Sequence, residues 1–135
     1  EDAELATIGA DIARVVREDL ERSGLFKSLS PDSFLETQTN IDYKPTFSDW
    51  RIIKAEALVS GRILRTSDNR LRVEYRLWDV YRGKQLSGLR FATTPDNWRR
   101  ISHKVSDAIY KRLTGEAGYF DSRIVYISES GPKVY

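Results

Sequence analysis

His103 is the only histidine of the chain, so chemistry that needs an imidazole has to use it. Nucleophilic or acid–base catalysis would also require a serine and a carboxylate gathered around this ring. On the last predicted helix His103 lies opposite the apolar positions Ile101 and Val105, with Arg99 and Asp107 four residues to either side. This spacing is typical of an exposed ladder of ion pairs. We therefore predict no catalytic residue and expect the chain not to be an enzyme.

Metal and cofactor sites lack their usual patterns. The chain has no cysteine and one histidine, and neither an Asp-x-Asp-x-Asp-Gly loop nor a His-x-x-x-His pair occurs. None of the eight glycines belongs to a phosphate-binding motif. Asp68-Asn69 suits a hairpin turn, and Glu18-Asp19 suits a solvated helix face. We predict no metal site and no cofactor.

The segment Trp98-Arg99-Arg100, followed by His103-Lys104, combines an aromatic ring with cations, as nucleic-acid contacts do. Trp98, however, begins the apolar stripe of its helix, which indicates burial. The whole chain has 22 basic and 20 acidic residues, a net charge of +2, which is not the footprint of a nucleic-acid binder. A solvated helix face is the favoured interpretation.

Hydrophobic periodicity predicts the elements before the sheet. The first helix begins after Thr7 as N-cap and stops at Ser23-Gly24, where Gly24 can adopt the left-handed conformation. A short strand at 25–29, a brief helical turn at 30–35 and a polar loop at 36–46 follow. A second short helix begins at Ser48 and runs through Ala57.

Three strand-like runs, 58–65, 71–77 and 86–93, follow at hairpin spacing and predict an antiparallel meander. The second run alternates cleanly between apolar and polar residues, so one sheet face is expected to be buried. The alternation breaks at Leu77-Trp78, which indicates a bulge that turns Trp78 and Val80 away from the first core face.

The last helix is capped by the segment Thr94-Pro95-Asp96-Asn97 and ends at Gly115. A strand at 123–128 and the beginning of a partner strand at 133–135 are predicted after it. The fold class is therefore α+β, with a mostly antiparallel or mixed sheet and helices packed on one face. No apolar run approaches the ~20 residues of a membrane span. The unfinished hairpin and the absence of methionine lead us to expect a piece of a longer, processed protein.

The sequence resembles the amino-terminal domain of the TolB family. The segments that carry the resemblance span nearly the whole chain and keep their order and spacing. They are Asp19-Leu20-Glu21-Arg22-Ser23-Gly24-Leu25-Phe26, Phe47-Ser48-Asp49-Trp50-Arg51, Ala57-Leu58-Val59-Ser60-Gly61, Tyr75-Arg76-Leu77-Trp78-Asp79, Trp98-Arg99-Arg100-Ile101-Ser102-His103-Lys104, Ile109-Tyr110-Lys111-Arg112-Leu113-Thr114-Gly115-Glu116 and Gly118-Tyr119-Phe120-Asp121-Ser122-Arg123-Ile124-Val125-Tyr126.

The resemblance implies a domain similar to the anticodon-binding domains of aminoacyl-tRNA synthetases, followed by a six-bladed β-propeller. On that basis residues 1–120 form the α+β domain without its first strand, and residues 121–135 are a linker and the first strand of a truncated propeller. TolB-like proteins are periplasmic adaptors of the Tol–Pal system, from which a signal peptide has been removed, and are not enzymes. The system supports outer-membrane integrity and constriction during cell division, and it is used for colicin import.

The same resemblance implies two partners for the intact protein: the lipoprotein Pal, bound by the propeller, and TolA, bound by the amino-terminal segment. Both surfaces are largely absent from this sequence. The candidate residues for contact with a second domain are the aromatics Trp78, Tyr81, Tyr119 and Phe120, for which ordinary core packing is the alternative. An RNA-binding module remains the alternative function, given a pI near 8.9. Affinity that falls steeply with salt would favour it.

Overall fold

The computed structural model describes residues 3–27 and 41–121. Three helices and three strands make up this part. They are α1 (Ala3–Arg22), α2 (Phe47–Ile52), β1 (Ala57–Arg65), β2 (Leu71–Asp79), β3 (Lys84–Thr93) and α3 (Trp98–Thr114), with a short 3-10 helix at Pro95–Asn97. The predicted α+β class is confirmed.

The boundaries of the first two helices differ from the prediction. Thr7 is not the N-cap of α1, because the helix already begins at Ala3 and the Thr7 hydroxyl donates to the Ala3 carbonyl at 3.1 Å. Gly24 adopts the predicted left-handed conformation, with φ of 81°. Helix α2 ends at Ile52 rather than running through Ala57, because Lys54 takes a positive φ of 65° and the chain turns into β1.

The strands form the predicted antiparallel meander, in the order β1-β2-β3. A register shift lies at Leu77/Trp78, as predicted: Leu77 pairs with Ser87, whereas Trp78 pairs with Gln85. The residue left over in this shift is Leu86, so the bulge belongs to β3, and β2 itself keeps its alternation. Trp78 therefore points away from the face that carries Leu77.

The main core lies between one face of the sheet and helices α1 and α3, as predicted. Its buried members are Ile8, Ile12, Val16, Leu71, Val73, Tyr75, Leu77, Ile101, Val105 and Ile109. Helix α2 departs from the expectation that all helices share one face. It packs on the other side, where Trp50, Ala55 and Val80 form a second, smaller core.

Helix α3 ends before Gly115, as predicted, and that glycine has φ of 82°. The predicted cap differs: Pro95–Asn97 forms the 3-10 helix, and neither the Thr94 nor the Asn97 side chain makes a capping hydrogen bond. The predicted strand at 25–29 is absent from residues 25–27, and its remainder lies outside the described residues. The predictions for 30–35, for 36–40 and for the hairpin after 122 lie there as well. Within 3–27 and 41–121, no helix combines the length and apolar character that crossing a membrane requires.

Candidate functional site

A buried carboxylate joins the two long helices. Asp19 continues the apolar stripe of α1, seven residues after Ile12, and is only 1% exposed. Across from it, His103 and Ser106 lie three residues apart and so share one face of α3. The helical period of each sequence thus brings these three polar side chains into the contact between α1 and α3.

The Asp19 carboxylate is satisfied on both oxygens. Its Oδ2 accepts from His103 Nδ1 at 2.6 Å and from the Ser106 hydroxyl at 2.8 Å. Its Oδ1 accepts from the Arg22 guanidinium at 3.3 Å. The Ser106 hydroxyl also lies 3.0 Å from the Ser102 carbonyl oxygen. It has a single hydrogen, and the Asp19 carboxylate is the stronger acceptor of the two. A buried carboxylate is tolerated only with such a set of donors.

This cluster contains serine, histidine and carboxylate, yet its geometry does not suit nucleophilic catalysis. In a catalytic triad the histidine lies between the serine and the carboxylate, so that it can take the hydroxyl proton. Here Asp19 is in the middle, and both Ser106 and His103 donate to the same oxygen. Ser106 is also fully buried, at 0% exposure. The arrangement ties α1 to α3 and activates no nucleophile.

The predicted ion-pair ladder around His103 is wrong. The ring is largely buried against Asp19, a residue 84 positions away, and does not pair with Asp107. Arg99 instead stacks on the neighbouring Trp98 ring, 4.8 Å from its centre. Asp19 was predicted to lie on a solvated helix face, and this prediction is wrong. Its position on the apolar stripe of α1 is the signal in the sequence that could have indicated its burial.

Asp107 holds the segment that follows α3. Its carboxylate accepts the backbone N–H groups of Phe120 at 2.7 Å and Asp121 at 3.2 Å. Gly118 makes this approach possible, because a Cβ there would lie 2.7 Å from the Asp107 Cα. Arg100 adds a contact to the Asp121 carboxylate at 3.4 Å. The chain leaving α3 is therefore fixed in direction as far as residue 121.

The same contacts build an aromatic cluster of four rings at the end of α3. Tyr110 is its centre, with ring centroids 6.2 Å from Phe26, 6.0 Å from Tyr119 and 5.7 Å from Phe120, all edge-to-face. Tyr119 and Phe120 also lie 4.5 Å apart. Tyr119 is 51% exposed, so the cluster presents apolar surface to solvent.

The four predicted domain-contact residues therefore occupy two separate places. Tyr119 and Phe120 are together in the aromatic cluster. Trp78 belongs to the α2 side of the sheet, where it is 3% exposed, contacts Phe47 and donates from Nε1 to the Ser60 hydroxyl at 3.2 Å. Tyr81 lies beyond it in the β2–β3 turn and is exposed. Trp78 thus offers almost no surface to a second domain, whereas the other three do.

The basic segment at the start of α3 is engaged within the domain. Trp98 packs partly into the main core, and Arg99 covers its ring. Arg100 pairs with Asp121, and His103 with Asp19. A stacking platform for bases needs a free aromatic face flanked by free cations. These contacts favour the predicted burial of Trp98 over a nucleic-acid interface, but Arg100 and His103 are ion-paired rather than on the solvated face that was predicted.

We expect Asp107→Asn to loosen the segment after α3 without unfolding the domain. An amide offers one acceptor oxygen in place of two, and a hydrogen bond to a charged group contributes about 1.5–3 kcal/mol. Amide hydrogen exchange at Phe120 and Asp121 should therefore become about tenfold faster or more. Asp96→Asn, at an exposed acidic position before α3, is the control and should leave those rates unchanged. Equal rates in both variants would contradict the role of Asp107.

On the sheet face opposite the main core, Glu74 is surrounded by arginines. It lies 2.7 Å from the Arg62 guanidinium and 3.0 Å from Arg72. The hydrogen bond from Arg62, assisted by the charges of Arg62, Arg72 and Arg90, lowers the pKa of Glu74 below its ordinary value of 4.5. The ionised form is thus favoured in the folded state.

Acid should weaken the domain partly through Glu74. Because its folded pKa is lowered, its contribution is fully present above 4.5 and is lost as the pH falls through the lower folded value. Glu74→Gln should therefore lose less stability than the wild type between neutral pH and pH values below 4.5, measured by urea unfolding. Glu116→Gln, an exposed position, should follow the wild type. Parallel curves for all three proteins would rule out this contribution.

A surface depression lies at the β1–β2 turn, and its lining does not include Glu74 or the arginines around it. It is an open depression of about 570 Å³, lined by Thr66, Ser67, Asp68, Arg70, Leu71 and Ala92. The Thr66 hydroxyl donates to Asp68 and lowers the pKa of that carboxyl. In the described ranges, no three histidine or acidic side chains are grouped closely enough to hold a metal ion.

Comparison with known proteins places this geometry in a family. The family model of the TolB amino-terminal domain matches residues 1–86. The chain belongs to the TolB amino-terminal domain family. A curated relative, the Tol-Pal system protein TolB of Paramagnetospirillum magneticum, is 58% identical over 126 residues, which cover 93% of this chain and 28% of that protein.

A solved structure agrees with the fold of this TolB-family domain. The crystal structure of TolB from Acinetobacter baumannii superposes with a TM-score of 0.74 at 33% identity, covering 87% of this chain and 29% of that one. The chain thus spans less than a third of the length of these two relatives. The predicted family is confirmed.

Proposed function

We propose that this TolB-family domain is a non-enzymatic adaptor of the Tol–Pal system and works in the periplasm through protein contacts. The observation that carries the proposal is the 58% identity, over nearly the whole chain, to a protein named for that system. The geometry supports it, because the Ser106–Asp19–His103 cluster is arranged to join helices rather than to react. We propose that its role is to support outer-membrane integrity and the constriction of the outer membrane during cell division.

The proposed organisation places the α+β domain at residues 1–120 and the start of a β-propeller at 121–135. In the intact protein the propeller would bind Pal and the amino-terminal segment would bind TolA, after removal of a signal peptide, and colicins would use the same system. We also propose that the fold is similar to that of anticodon-binding domains. A shared fold alone does not imply an RNA partner.

We assign the contact with the following domain to the aromatic cluster. Tyr119 and Phe120 lie at the proposed boundary, and Asp107 fixes the backbone that carries them. Tyr81 is a second exposed candidate on the sheet side. Burying two such rings would contribute several kcal/mol, at ~25 cal/mol per Å² of apolar surface, before the cost of fixing the interface.

The assignment of Pal to the propeller and of TolA to the amino-terminal segment can be tested with immobilised Pal and TolA from Paramagnetospirillum magneticum. The full-length relative and this chain are compared for binding to each by biolayer interferometry. We expect the relative to bind Pal and this chain to bind it weakly or not at all. Binding of Pal by this chain at the affinity of the full-length relative would overturn the assignment of Pal to the propeller.

A further inference from the structure

The sheet face opposite the main core carries an arginine face of four side chains: Arg62 on β1, Arg72 and Arg76 on β2, and Arg90 on β3. Strand pairing places Arg62 and Arg90 directly across from Glu74, one on either side. Arg72 and Arg76 lie two residues before and after Glu74 on the same strand, and therefore on the same face. Glu74 thus has four arginine residues as its neighbours on this face.

Among the described residues, carboxylates form ion pairs with two of these four arginines. Arg62 pairs with Glu74 at 2.7 Å and with Asp42 at 3.0 Å, and Arg72 pairs with Glu74 at 3.0 Å. Within residues 3–27 and 41–121, no carboxylate lies within ion-pair distance of Arg76 or Arg90. In the described part of the chain Arg76 and Arg90 therefore form no close ion pair, and Arg90 acts on Glu74 through its charge alone.

Arg76 and Arg90 differ in exposure: Arg90 is exposed on β3, whereas Arg76 is half-buried on β2. Across the sheet from Arg76 lie Ser60, which is buried and hydrogen-bonded to Trp78, and Gly88, beside which the Gln85 amide lies. Diagonal neighbours on adjacent strands are about 7–8 Å apart, and Arg90 is the diagonal neighbour of both Arg72 and Arg76.

That spacing suits an extended peptide. Alternate residues of an extended chain recur about every 6.6–6.8 Å on one side, which is close to the separation of diagonal neighbours on the sheet. Carboxylates at alternate positions would therefore meet Arg76 and Arg90 in succession. Arginine can bind a carboxylate through two parallel N–H donors. On this face Glu74 accepts one such hydrogen bond from Arg62, at 2.7 Å.

We propose that the arginine face binds an acidic, extended segment of a partner protein, with Arg76 and Arg90 as its main contacts. A phosphate polymer is the weaker fit, because the chain as a whole carries 20 acidic residues and a net charge of only +2. The inference goes beyond membership of the Tol–Pal system. The two are independent, so a failed peptide-binding test would not contradict the proposed function.

The test uses the 135-residue chain and a labelled peptide that alternates Asp or Glu with Thr, followed by fluorescence anisotropy. We expect binding that weakens with salt, and no binding of the matched peptide with Asn and Gln. Arg76→Gln and Arg90→Gln should each weaken binding about threefold to tenfold, and the double variant by roughly the product. Circular dichroism verifies that each variant is folded.

The matched control is Arg17→Gln, which removes the same charge from the exposed face of α1. It should change the affinity less than about twofold, since it alters only distant, screened charge. Equal effects of Arg17→Gln and Arg90→Gln would overturn the proposal, as would absence of peptide binding. Tighter binding of a single-stranded oligonucleotide or of phosphatidylglycerol vesicles than of the peptide would also overturn it, in favour of a phosphate ligand.

Discussion

Trp78→Ala is expected to lower the free energy of unfolding by about 3–5 kcal/mol, the largest effect among the aromatic positions of the sheet. The ring is 3% exposed and packs edge-to-face on Phe47 with centroids 5.7 Å apart. Its loss would leave a cavity on the α2 side and remove the donor of the buried Ser60 hydroxyl. Urea unfolding followed by far-UV circular dichroism measures the change.

Tyr81→Ala is the matched control for Trp78→Ala. Tyr81 was predicted for the same role as Trp78, but it is 52% exposed, so its replacement should cost less than about 1 kcal/mol. Trp78→Phe, which keeps most of the apolar volume, should fall between the two. If Trp78→Ala were as mild as Tyr81→Ala, the second core around α2 would not exist as described.

Asp19→Ala is expected to destabilise the domain by about 3 kcal/mol. The substitution removes the acceptor shared by His103 and Ser106 and leaves both donors in the interface between α1 and α3. Asp19→Asn keeps the shape but loses the charge, so it should cost about 1–2 kcal/mol. Urea unfolding at neutral pH compares the variants.

Asp11→Asn provides the control on the same helix. Among the described residues Asp11 pairs only with the exposed Arg14, at 3.3 Å, so the change should stay within about 0.5 kcal/mol. A double-mutant cycle of Asp19→Asn with Ser106→Ala should give a coupling of about 1 kcal/mol. Additive effects of these two substitutions would show that the hydroxyl does not stabilise the carboxylate.

The regular elements were predictable because apolar residues recur at the period of the element they form. The stripe from Ile8 to Val16 and the alternation from Leu71 to Leu77 place their side chains in the main core. The direction of Trp78 follows from the same alternation alone, because β2 stays in regular register with β1 and the shift lies on β3. Local periodicity decides these features, and no distant partner is needed to infer them.

The polar contacts between elements were not predictable in this way. Asp19 and His103 are 84 residues apart, and Asp107 contacts Phe120 across a helix end. Which donor meets a buried acceptor depends on how two helices pack, and a single sequence carries no direct signal of that. Asp19 offered the one hint, an acidic residue where the stripe of α1 required an apolar one.

The residues predicted to contact a second domain also could not be told apart from core residues by sequence alone. Aromatic residues are expected at interfaces and in cores alike, so the sequence could not separate Trp78 from Tyr119. Only packing distinguishes them: Trp78 is covered by Phe47 from α2, whereas Tyr119 stays half-exposed on the aromatic cluster. The assignment of Tyr119 and Phe120 to a domain contact remains a prediction.

The most direct measurement is outer-membrane integrity in a strain of Paramagnetospirillum magneticum whose TolB carries this chain in place of its matching segment. At 58% identity the two domains should present the same contacts. We predict that the chimeric protein restores resistance to deoxycholate and retention of periplasmic enzymes to a strain that lacks TolB. A chimera that accumulates in the periplasm at the normal level without restoring either would contradict the proposed function.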